Sequence, residues 1–220
     1  MAKTKTSQQQ KRIVKALLDR YGQTYAEEIG IKVEGNKPAA LFQLLVASLM
    51  FSTRISAGNA SRAVKALKKA KLTTPKKMAE ATWQQRVDVI TWHGYKRYDE
   101  STATRLGQTS ELLLDKYKGD LRRLREEAER DVRREHELLK QFKGVGDLGA
   151  GIFLREIQHV WTEAYPYADK RVVQAAERLG LPKDEKKLAK LVSQKQFPTL
   201  VAALVRVQLD KGHEQVLEAA

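Results

Sequence analysis

Two short stretches of the sequence combine residue types that could bind or stabilise a charged group. The first is Gly144-Val145-Gly146, which lies between two predicted helices. Two glycines let the backbone turn sharply and leave amides unshielded at a helix N-terminus, where the helix dipole favours an anion such as phosphate. Val145 would anchor the turn in the core. Many helical hairpins use glycine only to end a helix, so a purely structural role also fits.

Asp169 is the second such feature, because it precedes a predicted helix that ends near Gly180. As the N-cap of that helix, its carboxylate would lie at the positive end of the helix dipole, near backbone N–H donors that keep it ionised. An ionised carboxylate can stabilise positive charge that develops on a reacting group. The same geometry also fits an aspartate that only caps its helix.

The charge balance narrows the class of partner. The 220 residues include 41 lysines and arginines against 27 aspartates and glutamates, a net charge of +14. Such an excess predicts a polyanionic partner, with nucleic acid ahead of an anionic membrane surface. The longest nearly apolar run, 39–51, contains Gln43 and Ser48 and is too short to span a membrane, so we expect no membrane contact.

Metal and targeting signals are missing from the sequence. The chain has no cysteine, which excludes disulfides, thiolate zinc sites and iron-sulfur clusters. No two of its four histidines stand at i,i+4 spacing with a neighbouring carboxylate, so we expect no metal and no cofactor. The N-terminal stretch is basic and polar without an apolar segment behind it, which predicts a cytoplasmic protein, associated with the nucleoid if bacterial.

Apolar residues recur at intervals of three and four along most of the chain, which predicts an all-α fold. The first predicted helix covers 9–29. The helix that Pro38 opens, 38–51, is apolar on most of its circumference, as expected for a helix in the middle of a domain. The last predicted helix covers 198–217.

Over 38–179 the sequence resembles the helix-hairpin-helix DNA glycosylases of the endonuclease III superfamily. The stretches that carry the resemblance are LFQLLVASLMFST, TWHGYKRYDESTATRL, LLKQFKGVGDLGAGIFLREI and YADKRVVQAAERLGL. The resemblance implies two helical lobes with a cleft between them. A six-helix lobe, 37–155, would contain the helix-hairpin-helix at about 128–158, and both termini, 1–36 plus 156–220, would form the second lobe.

The resemblance also implies that Asp169 is catalytic, because family members carry one catalytic aspartate some twenty-odd residues after the hairpin. Cleavage of an N-glycosidic bond builds positive charge on the deoxyribose. A carboxylate can stabilise that charge and orient water for attack at C1′. The target base must first leave the duplex, because its bond is buried in the stack.

The sequence departs from the family pattern at three places. Bifunctional members carry a lysine two residues after the second hairpin glycine, where this chain has Leu148, so we expect a monofunctional enzyme without strong lyase activity. The four-cysteine iron-sulfur loop is missing. Thr53 stands where members often carry a glutamine that fills the gap left by the extruded base.

DNA contacts and a base pocket can be assigned to particular residues. The predicted DNA-binding residues are Lys143, Gly144, Val145, Gly146, Gly149, Lys170 and Arg171. The candidates for the base pocket or for intercalation are Phe51, Thr53, Trp92, His93, Tyr95, Leu148, Tyr165 and Tyr167. Asp147 would put a negative charge near the bound phosphate, which Lys143 could offset. We find no carboxylate-plus-amide set for reading one base edge, which favours electron-poor alkylated bases that stack well on aromatic rings.

Three functions therefore fit the sequence. The first is a monomeric DNA glycosylase that acts in base excision repair on double-stranded DNA containing a damaged base. The second is a catalytically silent helix-hairpin-helix protein that recognises backbone or lesions. The third is a basic helical protein that binds RNA or an anionic membrane.

Overall fold

The chain is all-α throughout the residues that the computed structural model describes, 2–92 and 98–220, and the predicted fold class is confirmed. Its helices are α1 Ala2–Tyr21, α2 Tyr25–Glu28, α3 Pro38–Phe51, α4 Ala57–Lys69, α5 Pro75–Glu80, α6 Trp83–Thr91, α7 Asp99–Tyr117, α8 Leu121–Glu127, α9 Val132–Lys140, α10 Gly146–Ile157, α11 Lys170–Arg178, α12 Glu185–Ala189, α13 Phe197–Asp210 and α14 His213–Glu218. Two short 3-10 turns cover Thr162–Ala164 and Gln194–Gln196.

The chain forms two compact units, which we name by the part of the chain that each contains. The inner unit is 26–154, and the terminal unit consists of 1–25 and 155–220. The chain leaves the terminal unit after Tyr25 and returns to it within α10, between Leu154 and Arg155. The predicted lobe boundaries were 36/37 and 155/156. The inner unit contains α3 to α9 entirely, and the division into a six-helix lobe and a second lobe stays a prediction.

Helix α3 forms the centre of the inner unit. Leu41, Phe42, Leu45 and Leu49 are fully buried along it, and the helix packs against α4 and α8. The hydroxyl of Ser48, the buried polar side chain of this helix, donates to the Leu44 carbonyl at 2.8 Å, which satisfies it without a partner from another helix. Around this centre, α5 and α6 pack against α7.

Helix α13 takes the corresponding place in the terminal unit. Leu200, Val201 and Leu204 are fully buried, and the helix packs against α1 and α11. Helix α11 contributes the buried face of Val172 and Ala176, so its position is fixed by apolar contact while its other face stays exposed.

The first and last predicted helices are each interrupted in the structure. The segment 9–29 forms α1 and α2 because a Cβ at Gly22 would lie 2.2 Å from the Leu18 carbonyl oxygen, a path that only glycine can take. The segment 198–217 forms α13 and α14 because Lys211 adopts a left-handed φ of 56° and ends α13. Periodicity alone does not reveal such breaks, since the apolar pattern continues across them.

None of the described helices combines the length and the apolar character that crossing a membrane requires.

Candidate functional site

In the inner unit, α9 and α10 are joined by a tight turn at the predicted hairpin. Gly144 has φ +96° and Gly146 has φ +56°, a backbone region in which side chains other than glycine are strained. Val145 between them is 2% exposed, and its amide donates to the Phe142 carbonyl at 3.0 Å. The valine therefore anchors the turn in the core, while both glycines stay exposed.

The end of α3 lies beside this turn. The Ser52 hydroxyl contacts the Gly144 carbonyl oxygen at 3.3 Å, so the neighbouring Phe51 and Thr53, both half-buried, are close to the hairpin in the fold. The Thr53 hydroxyl donates to the Met50 carbonyl of its own helix at 2.8 Å. Three pocket candidates are thus near the turn, because Leu148, also half-buried, follows it directly along α10.

Gly149 has a packing reason for being glycine. It is buried, and a Cβ there would lie 2.9 Å from the Val145 side chain and 3.4 Å from the Ser48 carbonyl oxygen. This position holds α10 close to α3 and so fixes the base of the hairpin. Its predicted contact with DNA stays a prediction.

The charge of Asp147 is balanced by Lys140 rather than by Lys143, which corrects the expectation from the sequence. The Lys140 ammonium lies 2.9 Å from Asp147 and 3.1 Å from Glu137. The hydrogen bond and the charge of Lys140 hold the pKa of Asp147 below its ordinary value. Lys143 is exposed. His136, Glu137 and Asp147 lie near one another, but the ammonium already supplies the cation of this cluster.

Arg105 of α7 is a cation near the hairpin that sequence reasoning missed. A Cβ at Gly144 would lie 2.6 Å from Arg105 Cδ, so the stem of the arginine passes over the turn. The contact joins residues far apart in the chain, and nothing in the local sequence of α7 indicates it. Arg105 adds positive charge where the predicted phosphate contact lies.

In the terminal unit, Asp169 is the N-cap of α11, as predicted. Its Oδ1 accepts hydrogen bonds from the amides of Arg171 at 2.9 Å and of Val172 at 3.1 Å. The side chain of Asp169 is 18% exposed, and those of Lys170 and Arg171 are exposed. The carboxylate is therefore fixed by backbone donors and still reachable from solvent.

Arg155, near the end of α10, is the partner of Asp169 that sequence reasoning missed. Its guanidinium donates to Asp169 Oδ2 at 2.8 Å, and its side chain is only 3% exposed. A signal was present, since Arg155 follows Ile152 by three residues and Leu148 by seven and so falls on the apolar stripe of its helix. A charge on such a stripe requires a buried partner.

The loop that leads to Asp169 is fastened by Gln158. The buried Gln158 side chain accepts from the Tyr167 amide at 2.8 Å and donates to the Tyr167 carbonyl at 3.2 Å. Tyr165 in the same loop contacts Phe197 edge-on, with ring centroids 5.5 Å apart. Trp161 is fully buried and belongs to the core. These contacts hold the backbone two residues before Asp169 in place.

Of the remaining aromatic candidates, the structure describes Trp92 alone. Trp92 is 86% exposed and lines a cavity of about 380 Å³ with residues of α4 and α6, among them Lys69 and Asp88. His93 and Tyr95 fall outside the described residues, so their predicted part in a base pocket stays a prediction.

Comparisons with known proteins give a likeness in structure but none in sequence. No model of a known protein family matches the chain, and no curated protein matches it either. Among solved structures, the chain is similar to a trapped endonuclease III–DNA covalent intermediate in an estranged-adenine complex, at 20% sequence identity. The match covers 76% of this chain and 73% of that chain, with a TM-score of 0.48.

Proposed function

We propose that the protein is a monofunctional DNA glycosylase, which extrudes a damaged base from double-stranded DNA and hydrolyses its N-glycosidic bond with Asp169. The proposal rests on the hydrogen bonds and the exposure of this carboxylate. Three donors hold Asp169, the amides of Arg171 and Val172 and the guanidinium of Arg155, while 18% of its side chain remains exposed. Such a group is fixed in direction and open to a substrate.

The free acceptor site of Asp169 defines what it can do. A carboxylate offers about four lone-pair positions, and among the described residues two are filled on Oδ1 and one on Oδ2. The position left on Oδ2 can accept from a water aimed at C1′ or face the positive charge that develops on the sugar. Leu148 supplies no amine at the place of the lyase lysine, so no Schiff base forms there.

The hairpin is the part of the protein that we propose binds the phosphates of the DNA backbone. The exposed Gly144 and Gly146 leave backbone amides accessible at the start of α10, and Lys143 and Arg105 add positive charge beside them. Amides at a helix N-terminus bind phosphate without reading the bases. The net charge of +14 agrees with such a partner.

A catalytically silent DNA-binding protein is the second candidate, and one observation favours it. The positive charge of Arg155 lies 2.8 Å from Asp169 and offsets part of the negative charge that catalysis would use. In a silent protein the pair would serve only to fasten α11 to α10. Asp169 would then be a cap without a substrate.

Base release decides between these candidates. Duplexes carrying alkylated, oxidised, deaminated or mismatched bases are incubated with the protein, and abasic sites are revealed with alkali. We expect release from at least one duplex, alkylated bases first, and a loss of about 100-fold or more in Asp169→Asn because a preorganised charge is removed. Asp120→Asn is the control, because Asp120 also caps a helix and pairs with an arginine, at 17% side-chain exposure. Salt-sensitive binding with no release from any duplex supports the silent protein.

Trapping with borohydride tests the monofunctional assignment. A lyase that attacks the sugar through an amine forms a Schiff base, which borohydride reduces to a stable protein–DNA bond. We expect little or no trapped protein on damaged DNA, because Leu148 replaces the amine. Efficient trapping contradicts this assignment.

The hairpin is tested by a pair of matched glycines. Gly146 and Gly180 both have positive φ, +56° and +69°, and a Cβ at either position meets nothing within 4 Å. Arginine at either site therefore strains the backbone to a similar degree. We expect Gly146→Arg to weaken binding to every duplex sequence about tenfold, because phosphate contacts carry no base information, and Gly180→Arg to bind as the wild type does. A loss of affinity that depends on the duplex sequence, or an equal loss in both variants, contradicts phosphate binding by the hairpin.

A further inference from the structure

Arg155 is a buried charged side chain near the end of α10, where it is followed by the buried Glu156 and otherwise flanked by apolar residues. It is 3% exposed, whereas Leu154 on one side of it and Ile157 beyond it are fully buried apolar residues. Taking a guanidinium out of water is unfavourable unless a partner compensates it. The hydrogen-bond partner of this guanidinium in the described part of the chain is Asp169, and its Nε atom is buried without an acceptor there.

An aromatic face completes the surroundings of Arg155. Its Cζ lies 6.0 Å from the centroid of the Tyr25 ring, and Tyr25 is itself only 5% exposed. The same ring has the Cζ of Arg206 at 4.1 Å. Contact of a guanidinium with a ring face stabilises the cation and restricts its plane. Packing thus restricts the Arg155 side chain, and this also restricts the direction of its hydrogen bond to Asp169.

From these contacts we infer that Arg155 is the positioning residue for Asp169. The inference rests on the proposed function, in which Asp169 is the catalytic carboxylate. Two backbone amides fix Oδ1, and Arg155 fixes Oδ2, so the carboxylate plane cannot rotate about its Cβ–Cγ bond. The rotation that is prevented would carry the free acceptor position of Oδ2 away from the substrate.

The identity of the residue matters to this role. Arginine carries a planar guanidinium whose N–H donors have a fixed geometry, so one donor can point at Asp169 Oδ2 while the rest of the group packs against its neighbours. The backbone amides of a cap are present at any helix start, whereas a guanidinium from another helix is not. Arg155 therefore adds direction to a carboxylate that the cap alone would leave free to turn.

Single-turnover kinetics with saturating enzyme test the inference on the duplex that the wild type cleaves best. In Arg155→Met we expect the rate of base release to fall about 100-fold while duplex Kd changes less than about threefold, because a reacting group displaced by about 1 Å loses that much rate. Arg155→Lys should stay within about tenfold of the wild type, since an ammonium can donate the one bond that Asp169 receives. Arg122→Met, which breaks the arginine pair of Asp120, is the control and should release base as the wild type does.

The possible results separate the two proposals. Release by the wild type with an unchanged rate in folded Arg155→Met overturns the positioning role and leaves the glycosylase proposal standing. A Lys variant as slow as the Met variant also overturns it. If Arg155→Met does not fold, Arg155→Gln takes its place, because its shorter side chain ends before the position of the guanidinium and so removes the bond to Asp169 while leaving a polar group in the buried site. No release by the wild type on any duplex refutes the glycosylase proposal, and Arg155 is then only the structural partner of a cap.

Discussion

Two aspartates of this protein begin helices in nearly the same way and differ in what surrounds them. Asp120 caps α8 and Asp169 caps α11, each two residues before an arginine, and their side chains are 17% and 18% exposed. Asp120 pairs with that nearby arginine, Arg122, which is 46% exposed. Asp169 pairs instead with Arg155, which is 3% exposed and comes from another helix.

The comparison teaches that a plain helix cap and the proposed catalytic aspartate can share a local sequence. Burial raises the pKa of Asp120, but the hydrogen bonds from the Arg122 side chain and amide, with the charges of Arg122 and Arg123, outweigh it and hold the pKa below its ordinary value. All of these groups are local. The arrangement around Asp169 needs a cation carried by another helix, and such a cation is buried at a free-energy penalty that capping alone does not require.

The Asp169–Arg155 and Asp120–Arg122 pairs are expected to differ most in how much they stabilise the fold. Asp169→Asn should lower the free energy of unfolding by about 3 kcal/mol, because asparagine still caps the helix while the buried Arg155 loses the counter-charge of Asp169. Asp120→Asn should lower it less, since Arg122 can turn to water. Urea unfolding at neutral pH measures both. Equal losses would mean that the two pairs are energetically alike. The same measurement shows under which conditions Asp169→Asn is folded for activity assays.

A smaller effect is expected from removing both members of the buried pair. Arg155→Met combined with Asp169→Asn should be more stable than the sum of the two single losses predicts, by about 1–3 kcal/mol, because neither an unpaired cation nor an unpaired anion remains. The corresponding cycle at Arg122 and Asp120 should show weaker coupling, as solvent screens an exposed pair. Additive losses at Arg155 and Asp169 would show that the two side chains do not depend on each other.

The smallest effect is expected in the pH dependence that Asp120 contributes. Because its pKa in the folded protein is lowered, Asp120 stabilises the fold fully above its unfolded value of about 3.9 and loses that contribution as the pH falls through the folded value. The difference in unfolding free energy between wild type and Asp120→Asn should therefore be constant from neutral pH downward and shrink below about 3.9. Urea titrations at stepped pH measure it. If the difference in unfolding free energy grows as the pH falls, the predicted direction of the Asp120 contribution is wrong.

Several elements were predictable because their signals are local. The glycines at 144 and 146, with a valine between them, indicate a turn at any helix junction, and the structure has positive φ at both. An aspartate before an amphipathic stretch indicates a cap, and Asp169 is one. The breaks at Gly22 and Lys211 were not predictable from periodicity, since the apolar pattern runs through both.

The sequence by itself determined the helical class, the basic charge, the hairpin turn and the aspartate at the start of α11. Each depends on residues within a few positions of one another, or on composition. Only the tertiary structure decided which cation each acidic residue meets, Lys140 rather than Lys143 at Asp147 and Arg155 at Asp169. It alone also placed the stem of Arg105 over Gly144. The reason is physical: these partners come from other helices, and helix packing is set by apolar faces whose pattern does not specify which neighbours they meet.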